Sequence, residues 1–296
     1  MSHCASTAEH IHVRGLRHGI RHWGDPDAPI VFFLHGWMDS SATFQFVVDA
    51  LKQSWHVIAP DWRGYGQSEW LSRPYWFPDY YADLHCILAH YTKEPVRLVG
   101  HSMGANIAST YAGLRPERVS QLVMMDFLGL ALPIGIDVSQ QLGKWLSALD
   151  ATPEMRGYKS HEALARRLLS VNHRLTEARA AFLSRSVSCV RPDGLVAMAC
   201  DPWHKIPAPT LYRVEDAMAS WQRITAPVLM LIADQGFVQQ RFGNDPIEMQ
   251  RRLNCFKDHQ VVTISDAGHN VQHDQPEQVA AALTQFLDSG LSQHAV

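Results

Sequence analysis

The feature that most limits the possible fold is the stretch R-L-V-G-H-S-M-G-A-N-I-A-S at residues 97–109. An apolar run ends there at a glycine, Ser102 follows between Gly100 and Gly104, and a helical pattern begins. A serine held on such a sharp turn takes strained backbone angles, and neighbouring chain passes so close that only glycine fits two positions before and after it. The stretch predicts a strand–turn–helix unit in which Ser102 is either a nucleophile or a small residue in a tight corner.

Short apolar runs alternate with helical patterns along much of the chain. Runs of strand length occur at 30–34, 56–59, 96–99, 121–125, 228–232 and 260–264, and continuous apolar runs of this kind are typical of strands covered on both faces. Residues 10–14 and 19–23 are predicted to form a starting hairpin, closed by the turn G-D-P-D-A-P. The alternation implies right-handed crossovers and an α/β fold with a mostly parallel central sheet flanked by helices.

The alternation stops between residue 127 and residue 222. Amphipathic helical stretches at 140–149, 161–169, 176–186 and 211–221 replace it, and strands resume after Pro227. We therefore predict a core made of residues 1–126 and 223–296, with a helical cap inserted at 127–222.

Composition excludes several classes of function. The net charge of −3 gives no basic footprint for nucleic acid and no polybasic tract for a membrane surface. The 17 His are scattered without an HExxH motif, and the five Cys contain no CxxC, so neither a metal site nor a disulfide framework is expected. No signal peptide and no apolar run long enough to span a bilayer is visible. We expect a soluble cytoplasmic protein without metal or cofactor, and the sequence carries no signal for an oligomeric state.

Two further motifs fall where they can complete a site around Ser102. H-G-W at 35–37 follows the first buried strand, at the place where a loop supplies a backbone N–H to an oxyanion hole. The donors are predicted to be the N–H groups of Trp37 and Met103. His269, in S-D-A-G-H-N, follows the last strand at the carboxyl edge of the sheet, where such sheets place ligands, and is predicted to be the general base. His101 points away from Ser102 on such a turn and is predicted to pack.

These motifs together carry a resemblance to a known family. H-G-W, D-W-R-G-Y-G-Q-S at 61–68, G-H-S-M-G and G-H at 268–269 resemble the α/β-hydrolase-fold serine hydrolases over nearly the full length. The stretches at 77–84, 201–206 and 211–221 also resemble a serine-hydrolase-like group with a helical cap. The resemblance implies the α/β-hydrolase fold and a triad in the chain order serine, acid, histidine.

The acid of the triad has two candidates. Most members of the family place it in a G-x-x-D turn after the strand that follows the cap, but this turn reads A-D-Q-G, with Gly236 at the acid position and Asp234 two residues early. Some members instead use the end of the strand after the nucleophile helix, which is Asp126 here. We predict Asp126, with Asp234 as the alternative, because a carboxylate displaced by several Å cannot make the same hydrogen bond to His269.

A serine nucleophile points to acyl transfer through a covalent ester. We expect hydrolysis of carboxylic esters, with small esters or lactones as substrates. The residues predicted to line the substrate pocket are His35, Phe127, Leu128, Trp145, Trp203 and His204. Hydrolysis of thioesters, amides or C–C bonds and cofactor-free perhydrolysis stay open on the same triad, as does a ligand receptor with an unused triad.

Overall fold

A mostly parallel sheet of eight strands forms the centre of the molecule. The computed structural model describes residues 3–52, 55–130 and 136–291. Its strands are β1 (Ser6–Val13), β2 (Leu16–Trp23), β3 (Ile30–Leu34), β4 (His56–Pro60), β5 (Val96–His101), β6 (Val119–Met125), β7 (Ser188–Val190), β8 (Val196–Met198), β9 (Val228–Ala233) and β10 (His259–Ile264). The large sheet has the order β1-β2-β4-β3-β5-β6-β9-β10. Only β2 pairs antiparallel with its neighbours, β1 and β4. The predicted mostly parallel sheet is confirmed.

Helices cover both faces of this sheet. They are α1 (Gln45–Ala50), α2 (Pro78–Tyr91), α3 (Met103–Leu114), α4 (Val138–Leu149), α5 (His161–Val171), α6 (Glu177–Ser186), α7 (Val214–Trp221), α8 (Phe237–Phe242), α9 (Pro246–Leu253), α10 (Val271–Asp274) and α11 (Pro276–Leu291). Successive residues of a strand point to opposite faces. In β3, Phe32 and Leu34 join the core under α2 and α3, whereas Val31 and Phe33 join the core under α1 and α11. The continuous apolar run at 30–34 follows from this double burial.

The starting hairpin turns at a different place from the predicted one. β1 and β2 are longer than expected, and the chain reverses at Arg14 and Gly15, which both have positive φ angles, 50° and 80°. Two successive residues with positive φ match the twist of a two-residue hairpin. The stretch G-D-P-D-A-P therefore leads from β2 to β3 and does not close the hairpin.

The segment between β6 and β9, called the insert below, is not purely helical. It holds α4 to α7 and also the small antiparallel sheet β7–β8, whose strands of three residues each are too short for the sequence pattern to reveal. The last helix, α7, packs against α3, because Gly113 leaves room for the carbonyl oxygen of Ser220. Helix α7 therefore packs on the core, although the prediction assigns its residues to the cap. The division into core and cap stays a prediction.

Candidate active site

Ser102 lies on a strained turn between β5 and α3. Its φ of 51° and ψ of −114° are unusual for a residue with a side chain, and such strain persists only where surrounding structure imposes it. A Cβ at Gly100 would lie 2.6 Å from the backbone of Gly104, and one at Gly104 would collide with the carbonyl oxygen of Leu34. The two glycines therefore allow the end of β3 to cross directly over the turn.

Three polar side chains form a continuous hydrogen-bonded chain at this edge of the sheet. Ser102 Oγ lies 2.9 Å from His269 Nε2, and His269 Nδ1 lies 2.7 Å from Asp126 Oδ2. Because an ionised carboxylate only accepts hydrogen bonds, Nδ1 carries the proton. In the neutral ring this leaves Nε2 free to accept from the Ser102 hydroxyl, which is the arrangement a general base requires.

Asp126 is fully buried, and backbone groups compensate its charge. Its carboxylate accepts hydrogen bonds from the N–H groups of Phe237 at 2.6 Å, Ala233 at 3.3 Å and Val238 at 3.4 Å. Two of these donors belong to the first turn of α8, a helix that the sequence patterns did not predict. Buried charges are stable only when they are hydrogen-bonded in this way, so the first turn of α8 helps to compensate a charge on Asp126.

Gly236 and Asp234 explain the altered A-D-Q-G turn. A Cβ at Gly236 would lie 2.5 Å from Asp126 Oδ2, so glycine here makes room for the carboxylate. Asp234 accepts hydrogen bonds from the N–H groups of Asp266 at 2.9 Å and Ala267 at 3.0 Å, which lie 32 and 33 residues further along the chain. The Ala267 N–H is the main cause that lowers the pKa of Asp234. Asp234 thus fastens the loop that carries His269, while Asp126 contacts the imidazole.

His101 contacts the same loop. Its ring is buried, Nε2 donates to the carbonyl oxygen of His269 at 2.8 Å, and Nδ1 accepts from the side-chain amide of Gln272 at 3.3 Å. Burial lowers its pKa far below the ordinary value, so the ring is neutral. The sequence predicts only packing for this residue, since nothing local indicates that a loop 168 residues away returns to it.

The H-G-W loop lies directly against Ser102. A Cβ at Gly36 would be 3.3 Å from the Cβ of Ser102. His35 fixes this loop, because its Nδ1 donates to the Gly36 carbonyl at 2.8 Å and its Nε2 accepts from the Trp62 N–H at 3.0 Å. Burial lowers the pKa of His35 to about 4. Met103 begins α3, where backbone N–H groups lack helical partners.

A cavity of about 230 Å³ opens beside this loop, between Trp37, Asn270 and the helices α5 and α6. In the described part of the chain, none of the six predicted pocket residues lines it. His35, Phe127 and Leu128 are buried, Trp145 and Trp203 are half-buried elsewhere in the insert, and His204 stacks between Tyr65 and Tyr75, so a role of these six residues in substrate binding stays a prediction. Burial lowers the pKa of His204 to about 3. The wall comes instead from helices whose apolar residues looked like ordinary core positions.

Other reactive groups do not converge on this site. Among residues 3–52, 55–130 and 136–291, no cluster of three or more His, Cys, Asp or Glu could hold a metal ion. Cys200 is buried and lies 3.3 Å from the sulfur of Met38, and burial raises the pKa of its thiol. A thiol of raised pKa is a poor nucleophile at neutral pH. None of the helices described combines the length and apolar composition of a membrane span.

Comparisons with known proteins agree with this fold. A family model described as the alpha/beta hydrolase fold matches residues 29–276. A serine hydrolase-like protein of Danio rerio is 27% identical, over 90% of this chain and 83% of its own. An sn-1-specific diacylglycerol lipase of Mus musculus is 28% identical, over 89% and 82%. A thioesterase domain from the curacin biosynthetic pathway superposes with a TM-score of 0.81 at 23% identity, over 94% of this chain and 98% of that domain, a likeness of fold.

Proposed function

The chain belongs to the alpha/beta hydrolase fold family, and we propose that it hydrolyses carboxylic esters through an acyl-enzyme on Ser102. The observation that carries this proposal is the unbroken chain Ser102–His269–Asp126, with its distances of 2.9 Å and 2.7 Å. The diacylglycerol lipase among the relatives cleaves an ester, by its name, which favours the same bond type here. Small esters or lactones suit the modest cavity, which is below the usual range for drug-sized ligands.

The reaction proceeds by two acyl transfers. Ser102 Oγ attacks the ester carbonyl while His269 Nε2 accepts the hydroxyl proton, and a tetrahedral intermediate forms. His269 then returns this proton to the leaving alcohol, so the C–O bond breaks and the acyl group stays on Ser102. Water then attacks the acyl carbonyl as His269 Nε2 accepts its proton. His269 passes this proton to Ser102 Oγ as the bond between the acyl carbon and Oγ breaks, which releases the carboxylic acid and restores Ser102.

Two groups of donors would stabilise the charges that develop. The N–H groups of Trp37 and Met103 are proposed to bind the oxyanion, since both belong to chain segments that meet at Ser102. Asp126 keeps the Nδ1 proton in place and stabilises the imidazolium, while three backbone N–H groups donate to its carboxylate.

A fluorophosphonate probe followed by peptide mapping tests the proposal. We expect covalent labelling of Ser102 in the wild-type protein, hydrolysis of p-nitrophenyl butyrate, and loss of both in Ser102→Ala. Ser147→Ala, at an exposed serine of α4, is the matched control and keeps both. Ranking kcat/KM over ester, lactone, thioester and amide panels then identifies the bond. Absence of labelling in the wild-type protein, or labelling that survives Ser102→Ala, overturns the proposal.

A further inference from the structure

The cavity beside the triad has an apolar wall and a polar wall, and the polar wall carries Asp39. Its apolar wall is formed by Leu168, Leu175, Leu183, Val187 and Met198 of the insert. Its volume of about 230 Å³ corresponds to about eight groups the size of a water molecule, at about 30 Å³ each. This is the size of an unbranched chain of about six carbons with its carbonyl group.

The cavity adjoins the segments that carry the site, since its wall includes Trp37, which follows Gly36, and Asn270, which follows His269. Gly36 contacts Ser102, and the next residues, Trp37, Met38 and Asp39, run along the cavity wall. A carbonyl oxygen bound at the Trp37 N–H therefore has the cavity directly beside it. The leaving oxygen must face His269 Nε2 in order to receive its proton, so the acyl chain is the substrate arm that enters on the Trp37 side.

Asp39 is the one carboxyl group on the described part of the wall. Its Oδ1 accepts from the Ser40 N–H at 2.9 Å. Burial raises the pKa of Asp39 to about 7, although hydrogen bonds from Thr43 and Ser40 act in the opposite direction. Asp39 is half-buried, so its carboxyl group is only partly hydrated.

The charge of Asp39 is not offset by a cationic side chain on the described part of the cavity wall. Of the described residues that line the cavity, none is Lys or Arg. His273 lies on the wall, but its Nε2 is 2.6 Å from Thr43 Oγ1 and burial lowers its pKa to about 3, so it is neutral. The guanidinium of Arg179 is engaged by the carbonyl oxygens of His273 and Asp274 and by Glu277.

We propose that Asp39 determines acyl specificity: it accepts acyl chains that carry a hydrogen-bond donor, such as a hydroxyl group, and rejects chains that carry a carboxylate. The physical reason is that two negative charges held together in a half-enclosed cavity repel each other more strongly than they do in bulk water. A hydroxyl group, in contrast, donates to a carboxylate oxygen of Asp39, which has more lone pairs than its hydrogen bonds from Ser40 and Thr43 use. This inference rests on the proposed ester hydrolysis and adds the class of acyl group.

Three p-nitrophenyl esters of equal length test it: hexanoate, 6-hydroxyhexanoate and the monoester of adipate. After correction for spontaneous hydrolysis, we expect kcat/KM for the adipate ester to be at least tenfold below that for the hydroxy ester at pH 8. In Asp39→Asn the adipate ester should recover to within about threefold of hexanoate, and in Asp39→Leu the hydroxy ester should lose its advantage. Asp150→Asn, which removes an exposed charge elsewhere in the insert, is the control and leaves all ratios unchanged. Ratios that Asp39→Asn also leaves unchanged overturn the inference.

A binding measurement separates this inference from the proposed function. Hexanamide, 6-hydroxyhexanamide and adipic acid monoamide are titrated into Ser102→Ala protein by calorimetry, so that no turnover is needed. If 6-hydroxyhexanamide binds most tightly and adipic acid monoamide most weakly, the result supports the role of Asp39 even if no ester is hydrolysed. Equal binding of all three, alongside active ester hydrolysis by the wild-type protein, overturns the Asp39 inference alone.

Discussion

At the scale of single residues, Asp126 and Gly236 form one unit. The acid lies at the end of β6, and the position that usually holds it carries no side chain, because a Cβ there would contact Asp126 Oδ2 at 2.5 Å. Asp234, the nearby alternative, does not contact the imidazole of His269. It accepts two backbone hydrogen bonds from the loop that carries His269. The two carboxylates therefore have separable effects.

Replacement of each carboxylate by its amide separates them. Asp126→Asn should lower kcat on the order of 10⁴-fold, because an amide that donates to Nδ1 favours the wrong imidazole tautomer. Asp234→Asn should lower kcat by less than about tenfold and mainly destabilise the loop at 265–270. Steady-state kinetics with p-nitrophenyl butyrate, together with thermal unfolding of both variants, measures the difference. A larger loss of kcat in Asp234→Asn would reverse the assignment of the acid.

The sequence predicts some contacts of single residues in the site and misses others. The proximity of Ser102, His269 and Asp126 could be predicted because each follows a strand at the same edge of the sheet, which the apolar runs indicate. The preference for Asp126 over Asp234 depended on the family resemblance. The contacts of His101 and Asp234 could not be found, since both depend on the path of the loop that precedes α10. The cavity between α5 and α6 could not be predicted for a related reason: an apolar residue on an amphipathic helix gives the same sequence pattern whether it faces a core or a cavity.

At the scale of elements, the insert is tied to the loop that carries the base. Asp274, in α10, accepts from the Gly268 N–H at 2.8 Å and from the side-chain amide of Asn172 at 2.6 Å. Asn172 follows the last residue of α5 directly. One carboxylate thus links the end of α5 to the residue before His269, so the cavity wall and the base share a support.

The position of α5 leads to a prediction about chain length. Leu168 is half-buried on the cavity wall, and Leu168→Trp should fill part of the 230 Å³ without disturbing the triad. We expect kcat/KM for p-nitrophenyl hexanoate to fall at least tenfold, while the value for the acetate ester changes less than about threefold. The control Leu146→Trp adds the same side chain to exposed α4 and should change neither value. Parallel losses for both esters in Leu168→Trp would place the acyl chain elsewhere.

At the scale of the whole molecule, buried neutral histidines make stability depend on pH. Burial lowers the pKa of His35 to about 4 and that of His204 and His273 to about 3, from an ordinary value of 6.5. The unfolded chain binds these protons first, so the stabilisation is complete above pH 6.5 and is lost as the pH falls. Asp39 acts in the opposite direction, since its pKa is raised to about 7 and the folded state holds its proton more tightly.

The histidines outweigh the single carboxyl group. At pH 5 each of the three costs about 2 kcal/mol of unfolding free energy and Asp39 returns about 2 to 3 kcal/mol, so the net loss from these four groups is about 3 kcal/mol relative to pH 7.5. His101, whose pKa burial also lowers, adds to this loss.

Urea unfolding at pH 7.5 and pH 5.0 measures this loss, and two variants with opposite effects test its origin. In Asp39→Asn the loss on acidification should grow, because the opposing carboxyl group is gone. In His273→Gln it should shrink, because one buried proton acceptor is gone, and in His12→Gln, at an exposed position, it should match the wild-type loss. Changes of the same sign in Asp39→Asn and His273→Gln would show that the pH dependence arises outside these buried groups.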